Sequence, residues 1–122
     1  MAHTINYRAG EFSASDYLVH GTLGQPSAEV LGDPQVTRAL IAFEDERVTM
    51  GSWECEPGLS RWEFTTRGEF IHVLSGSMTV TEDGGEPTKL TAGSTAIFPL
   101  GWKGSWEIHE TLRKVFTVYR VN

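Results

Sequence analysis

The chain is poor in the features that mark several large protein classes. Its 122 residues include a single cysteine, Cys55, so no intrachain disulfide can form, and a reducing cytoplasm is the expected location. Its longest apolar stretches are short, as at 39–43, whereas a membrane span needs roughly 20 apolar residues. Residues 1–10 contain no apolar run of the kind found in a signal peptide. We therefore expect a cytoplasmic protein without a membrane partner.

Positive charge is also scarce, with 10 lysines and arginines against 16 aspartates and glutamates and a net charge of −6. An acidic surface repels the phosphates of nucleic acids, so we expect no nucleic-acid partner. The chain lacks the Gly-x-Ser-x-Gly elbow of hydrolases, a phosphate-binding Walker motif and a Cys-x-x-Cys redox pair. These absences leave a small molecule as the expected partner.

The pattern that is present is that of β-strands. Residues 36–122 contain short runs rich in β-branched and aromatic residues, separated by turn formers such as Pro57-Gly58. No window has the period of 3.6 that marks a helix, and about nine short strands at regular spacing predict an all-β sandwich or barrel. Residues 1–35 are rich in glycine and proline, and they predict an extended N-terminal arm that packs on the barrel or on a partner subunit.

Two stretches resemble the motifs of the cupin family. Glu69 is followed by a glycine at Gly76, as in the first cupin motif, and Gly93 is followed by Pro99 and Gly101, as in the second. Further similarities to small single-domain cupins, related to ureidoglycine aminohydrolase and to ethanolamine-utilisation cupin proteins, lie at 53–58, 104–107 and 111–116. The resemblance implies a double-stranded β-helix, the cupin jelly-roll barrel, formed by residues 36–122, with a ligand pocket inside it.

The resemblance also implies positions for metal ligands, and most of them are unsuited to metal here. The histidines of the cupin motifs correspond to Trp62, Phe64 and Gly104, so only Glu69 remains of the ligand set. Rings without a nitrogen lone pair do not ligate transition metals, whereas imidazole and carboxylate do. His72 lies three residues from Glu69 and should point to the opposite face of its strand. We expect no metal and no other cofactor.

Strand alternation places several remaining side chains inside the barrel. Glu69 and Lys114 are the candidate catalytic residues, because Lys114 is the one cation on an otherwise apolar strand face and needs a buried partner. Gly104, without a side chain, is expected to leave room for a ligand. The expected ligand-binding residues are Trp62, Phe64, Ile71, Gly104 and Trp106. The alternative interpretation is that the aromatic residues fill the hydrophobic core and do not bind a ligand.

Three functions remain open from the sequence. The first is a metal-independent enzyme that acts on a small polar metabolite with Glu69 as general acid or base. The second is a non-catalytic binding or accessory module, in which the same pocket holds a ligand without converting it. The third is a metal-dependent cupin with atypical ligands. The small barrel with a glycine-rich arm also predicts a homodimer.

Overall fold

The computed structural model describes residues 2–9, 19–24 and 28–121, and all of the regular elements among them are β-strands. None of these residues forms a helix, so none forms one long and apolar enough to cross a membrane. In chain order the strands are β1 (Val19–Thr22), β2 (Ala28–Val30), β3 (Val36–Glu44), β4 (Val48–Cys55), β5 (Gly58–Glu63), β6 (Arg67–Glu82), β7 (Pro87–Thr91), β8 (Thr95–Phe98) and β9 (Lys103–Arg120).

Strands β6 and β9 form a long antiparallel ribbon, with Arg67 opposite Arg120 at one end and Glu82 opposite Gly104 at the other. In one half of the ribbon, β8 pairs with the first part of β6. On the other side of the ribbon in this half, β4 pairs with β9, β3 with β4, and β1 with β3. In the other half of the ribbon, β7 pairs with the second part of β6. On the opposite side, β5 pairs with β9 and β2 pairs with β5. The ribbon therefore belongs to two sheets, in the orders β1-β3-β4-β9-β6-β8 and β2-β5-β9-β6-β7.

The ribbon passes from one sheet to the other through an irregular middle. The register between β6 and β9 shifts between Val73 and Met78, and Gly76 in this stretch has φ of +86°. A bulge bends a strand without ending its hydrogen-bond ladder. The structure therefore has seven strands from β3 onward rather than about nine, because β6 and β9 each join two predicted strands. The predicted all-β jelly roll is confirmed.

Buried aromatic rings fill the space between the sheets. Trp62 stacks on Trp106 with ring centroids 3.8 Å apart. Phe98 packs against Trp106 at 4.9 Å and against Phe64 at 5.8 Å. Trp53, from β4 of the first sheet, meets Trp62 of the second sheet edge-on at 6.4 Å. Large rings remove much apolar surface from water, so this cluster holds the two sheets together.

The described part of the predicted arm, residues 1–35, extends the sheets. Strand β1 pairs antiparallel with β3, and β2 pairs antiparallel with β5. Gln35 is fully buried, and its Nε2 donates to the backbone carbonyl of Glu56 at 3.0 Å. Residues 10–18 and 25–27 of the predicted arm lie outside the described residues.

Candidate functional site

A cavity of about 310 Å³ opens on the inner face of the sheet that contains β3, β4, β6 and β9. Its ring-bearing lining residues are Trp53, Trp62, Phe64 and Phe116. Its charged and hydroxyl-bearing lining residues are Glu44, Thr49, Arg67, Glu69, Lys114 and Arg120. The volume and the mixture of apolar walls with a few polar groups are typical of small-molecule sites.

A buried ion pair lies on the inner wall of this cavity. Lys114 Nζ donates to Glu69 Oε2 at 2.8 Å, and the two residues are 1% and 4% exposed. Strand alternation turns both side chains inward, Glu69 from β6 and Lys114 from β9. The predicted pairing of these residues is confirmed. An unpaired charge at this depth would be strongly unfavourable, so the contact between the two residues is needed to compensate their burial.

Two indole rings complete the surroundings of the lysine. Lys114 Nζ lies 4.3 Å from the ring centroid of Trp53 and 4.6 Å from that of Trp106. The negative faces of aromatic rings attract a cation at this range. The amino group of Lys114 is therefore held at the wall of the cavity by one carboxylate and two ring faces.

The predicted ligand-binding residues divide into two groups. Trp62 and Phe64 line the cavity, and the Trp62 indole is oriented by donating from Nε1 to Ser60 Oγ at 2.8 Å. Trp106 and Ile71 are fully buried and do not line it. Trp106 instead stacks behind Trp62, where it supports the wall of the cavity as part of the core.

Gly104 does not leave the room that the sequence suggests. A Cβ added there would lie 2.3 Å from the backbone oxygen of Thr81 and 2.6 Å from the Trp102 ring. Gly104 pairs with Trp62 of β5 and with Glu82 of β6, so neighbouring backbone passes directly over it. The glycine permits this close approach of strands. The expectation that Gly104 opens space for a ligand is therefore wrong.

Several polar residues at the open end of the cavity were not predicted from the sequence: Glu44, Thr49, Arg67 and Arg120. Arg120 Nη2 donates to Thr49 Oγ1 at 2.6 Å and lies 3.7 Å from Glu44 Oε2. Thr49 Oγ1 in turn donates to Glu44 Oε2 at 2.7 Å. The alternation of side chains along a strand could have predicted that both arginines face the cavity. Arg67 is two residues from Glu69 on β6, and Arg120 is six residues from Lys114 on β9, so each shares a face with its neighbour.

The side chains around Glu69 do not fit a transition metal. Glu69 is already paired with the ammonium of Lys114 and also lies within the electrostatic influence of Arg67, and a metal cation beside these positive charges is repelled. His72 lies on the other face of β6 and contacts Thr95 Oγ1 at 3.0 Å. In residues 2–9, 19–24 and 28–121, no three His, Cys, Asp or Glu side chains are grouped so that they could hold a metal ion. The metal implied by the cupin resemblance therefore has no ligand set in this part of the chain.

We predict that the purified protein carries no stoichiometric transition metal and that chelators leave its melting temperature unchanged. The reason is that one carboxylate already paired with an ammonium binds such ions weakly and without selectivity. Elemental analysis after extensive dialysis provides the measurement. About one Mn, Fe, Ni or Zn per chain, lost in the Glu69→Ala variant, would contradict this prediction.

The single cysteine has no part in the cavity. Cys55 is fully buried, and its burial raises the pKa of the thiol to about 12. Gln35 Nε2 donates weakly to Cys55 Sγ at 3.6 Å. The thiol is therefore neutral at physiological pH and is a core residue rather than a nucleophile.

A match to a family model covers most of the barrel and shows which family the chain belongs to. The family model described as the EutQ-like cupin domain matches residues 43–116, more than half of the chain. The chain belongs to this family. The resemblance to small ethanolamine-utilisation cupins is thereby confirmed for this EutQ-like cupin domain. No curated protein matches it by sequence.

Solved structures of related cupins share its fold. The EutQ protein of Clostridium difficile has a TM-score of 0.61 and 19% identity, covering 72% of this chain and 65% of that one. A DUF861-family protein of unknown function from Pseudomonas syringae pv. tomato has a TM-score of 0.69 and 17% identity, covering 82% and 44%. A putative ethanolamine utilization protein Q from Salmonella typhimurium has a TM-score of 0.60 and 19% identity, covering 74% and 72%. This chain spans less than two thirds of the length of the first two proteins, and these likenesses show the fold alone.

Proposed function

We propose that this EutQ-like cupin domain binds a small polar metabolite in its cavity and transfers a proton to or from it with Glu69, without a metal. The observation that carries the proposal is the buried pair of Glu69 and Lys114, which meet at 2.8 Å on the wall of an aromatic-lined cavity. A buried acid and a buried cation in one small-molecule site are the elements of general acid–base catalysis.

The two groups have complementary chemical roles in this proposal. Glu69 accepts or returns a proton at a polar atom of the ligand, which reaches it from the cavity. The amino group of Lys114 lies between Glu69 and the two indoles, and it stabilises negative charge that develops on the ligand. Trp62 and Phe64 exclude water from the reacting atoms, which strengthens both interactions.

The second candidate function is a non-catalytic binding module, and one observation favours it. Glu69 and Lys114 are each other's partners at 2.8 Å, so the pair is already satisfied without a ligand. In this alternative the pair holds the cavity wall together, and the ligand binds to the aromatic surfaces beside it.

The Glu69→Gln variant separates these two functions. Glutamine keeps an oxygen acceptor for Lys114 but cannot take up a proton, so we expect ligand affinity to change by no more than about threefold while turnover falls by about 10²–10⁴-fold. Ligands come from a thermal-shift screen of polar metabolites, and turnover of each hit is followed by mass spectrometry. A ligand that binds to the wild-type protein and is never converted would favour the binding module.

We also infer that the domain forms a homodimer through the outer face of the larger sheet. Phe43, Met50 and Phe70 are exposed there around a groove that Ile5 and Tyr7 border. Exposed apolar patches mark association sites, and two-fold symmetry lets one patch serve both copies. Light scattering at high micromolar concentration should give the mass of a dimer, and the Phe70→Lys variant should give a monomer. A wild-type monomer at that concentration would remove this inference.

A further inference from the structure

The charges that line the cavity do not cancel. Glu69 and Lys114 neutralise each other at the buried end. At the open end, the guanidinium groups of Arg67 and Arg120 outnumber the carboxylate of Glu44. Counted over the described lining residues alone, the cavity has one more positive than negative charge, although the whole chain has a net charge of −6. A positive cavity in an acidic protein attracts anions selectively to that one place.

Arg120 presents an unused donor in this region. Its Nη2 donates to Thr49 Oγ1 at 2.6 Å, which fixes the guanidinium plane. Its Nη1 is buried, and no hydrogen-bond acceptor among the described residues reaches it. A buried donor without an acceptor is unfavourable, so an acceptor supplied by a bound molecule is favoured there.

Arg67 adds a second positive charge beside the first. It lies opposite Arg120 in the β6–β9 ladder, and it is partly buried on the cavity lining. Burial lowers the pKa of Arg67 from its usual value, and the charge of Arg120 acts in the same direction against the opposing effect of Glu69. A guanidinium has five N–H groups and can donate to more than one acceptor, so Arg67 can add a second donor to an anion that Arg120 Nη1 holds.

We propose that the metabolite of the proposed function is a small organic monocarboxylate, with its carboxylate held by Arg120 and Arg67. The planar fork of a guanidinium matches a carboxylate with two parallel hydrogen bonds. Glu44, which lies beside Arg120, limits the net charge of the open end, so a single negative charge fits better than a phosphate dianion. The apolar part of the ligand packs on Trp62, Phe64 and Phe116.

Three probes of the same shape test the charge preference: benzoate, its neutral isostere benzamide, and benzylammonium. Trp53 and Trp62 line the cavity, so tryptophan fluorescence reports on binding. In 0.15 M NaCl, where charges are screened beyond about 8 Å, benzoate should bind at least about tenfold more tightly than benzamide. Benzylammonium should bind more weakly than both.

Arginine variants locate the interaction. Arg120→Met and Arg67→Met should each weaken benzoate by about tenfold or more and leave benzamide unchanged. Arg61→Met removes the same charge outside the cavity, where Arg61 pairs with Asp83, and should alter neither affinity. If Arg120→Met does not fold, Arg67→Met and the charge-retaining Arg120→Lys carry the test, and Arg120→Lys should weaken benzoate less than Arg67→Met does.

The outcomes distinguish this inference from the proposed function on which it rests. Equal affinities for benzoate and benzamide, or equal losses of both in the arginine variants, overturn the carboxylate preference and leave the small-molecule site standing. Failure of all three probes to bind overturns both proposals.

Discussion

Replacing Glu69 with alanine should lower the free energy of unfolding by about 3–5 kcal/mol. The change leaves Lys114 without the carboxylate that it meets at 2.8 Å, at a position that is only 1% exposed. The faces of Trp53 and Trp106 stabilise the ammonium only in part, because a desolvated cation–π contact contributes about 2 kcal/mol. Urea denaturation at neutral pH, followed by tryptophan fluorescence, measures the loss.

A double variant separates the effect of charge from that of packing. Glu69→Met with Lys114→Met removes both charges and keeps most of the side-chain volume, so it should recover most of the stability lost in Glu69→Ala. Arg61→Met breaks the exposed pair with Asp83 and should change stability little. If the double variant is as unstable as Glu69→Ala, then loss of the ion pair itself, rather than an uncompensated charge on Lys114, is the cause.

Replacing Gly76 with alanine should lower the free energy of unfolding by about 3 kcal/mol or more. Gly76 has φ of +86°, which disfavours a side chain, and a Cβ there would lie 2.1 Å from the backbone oxygen of Thr111. The alanine methyl group must therefore push β9 away from β6 at the point where the ribbon bends between the sheets. Thermal and urea denaturation measure the loss.

Gly84 provides the matched control for this prediction. It also has a positive φ, +77°, but a Cβ there would have no neighbour within 4 Å. Gly84→Ala should therefore cost only the backbone strain of about 1–2 kcal/mol. Similar losses in the two variants would show that backbone conformation alone, rather than the contact with Thr111, makes glycine necessary at the bend.

Much of the fold could be predicted because strand alternation and turn residues are local signals. The β-rich runs predicted over residues 36–122 are strands, and the predicted turn former Pro57-Gly58 lies where β4 ends and β5 begins. The length of β6 and β9 could not be predicted, because a glycine between two apolar runs is compatible with a turn or with a bulge. The register of the partner strand decides between these, and that register depends on residues distant in sequence.

The sequence predicted the contact of the buried pair, and it missed the polar residues at the open end of the cavity. The contact of Glu69 with Lys114 follows from burial, since a lone buried cation requires a partner. Arg67 and Arg120 were missed because arginines at strand ends are usually solvated, and only the pairing of those two ends brings them together. The error at Gly104 has a similar origin, since sequence parity predicts the face of a residue but not the backbone that crosses it.

The shared ribbon also determines how a ligand can enter and leave. Hinge closure requires two bodies that are joined by a few flexible residues. Here β6 and β9 pair with each other from Arg67–Arg120 to Glu82–Gly104, with register shifts between Val73 and Met78, so the two sheets are continuous through both strands. A ligand bound as we propose would therefore exchange through the open end of the cavity by movement of side chains, rather than by a hinge between the sheets.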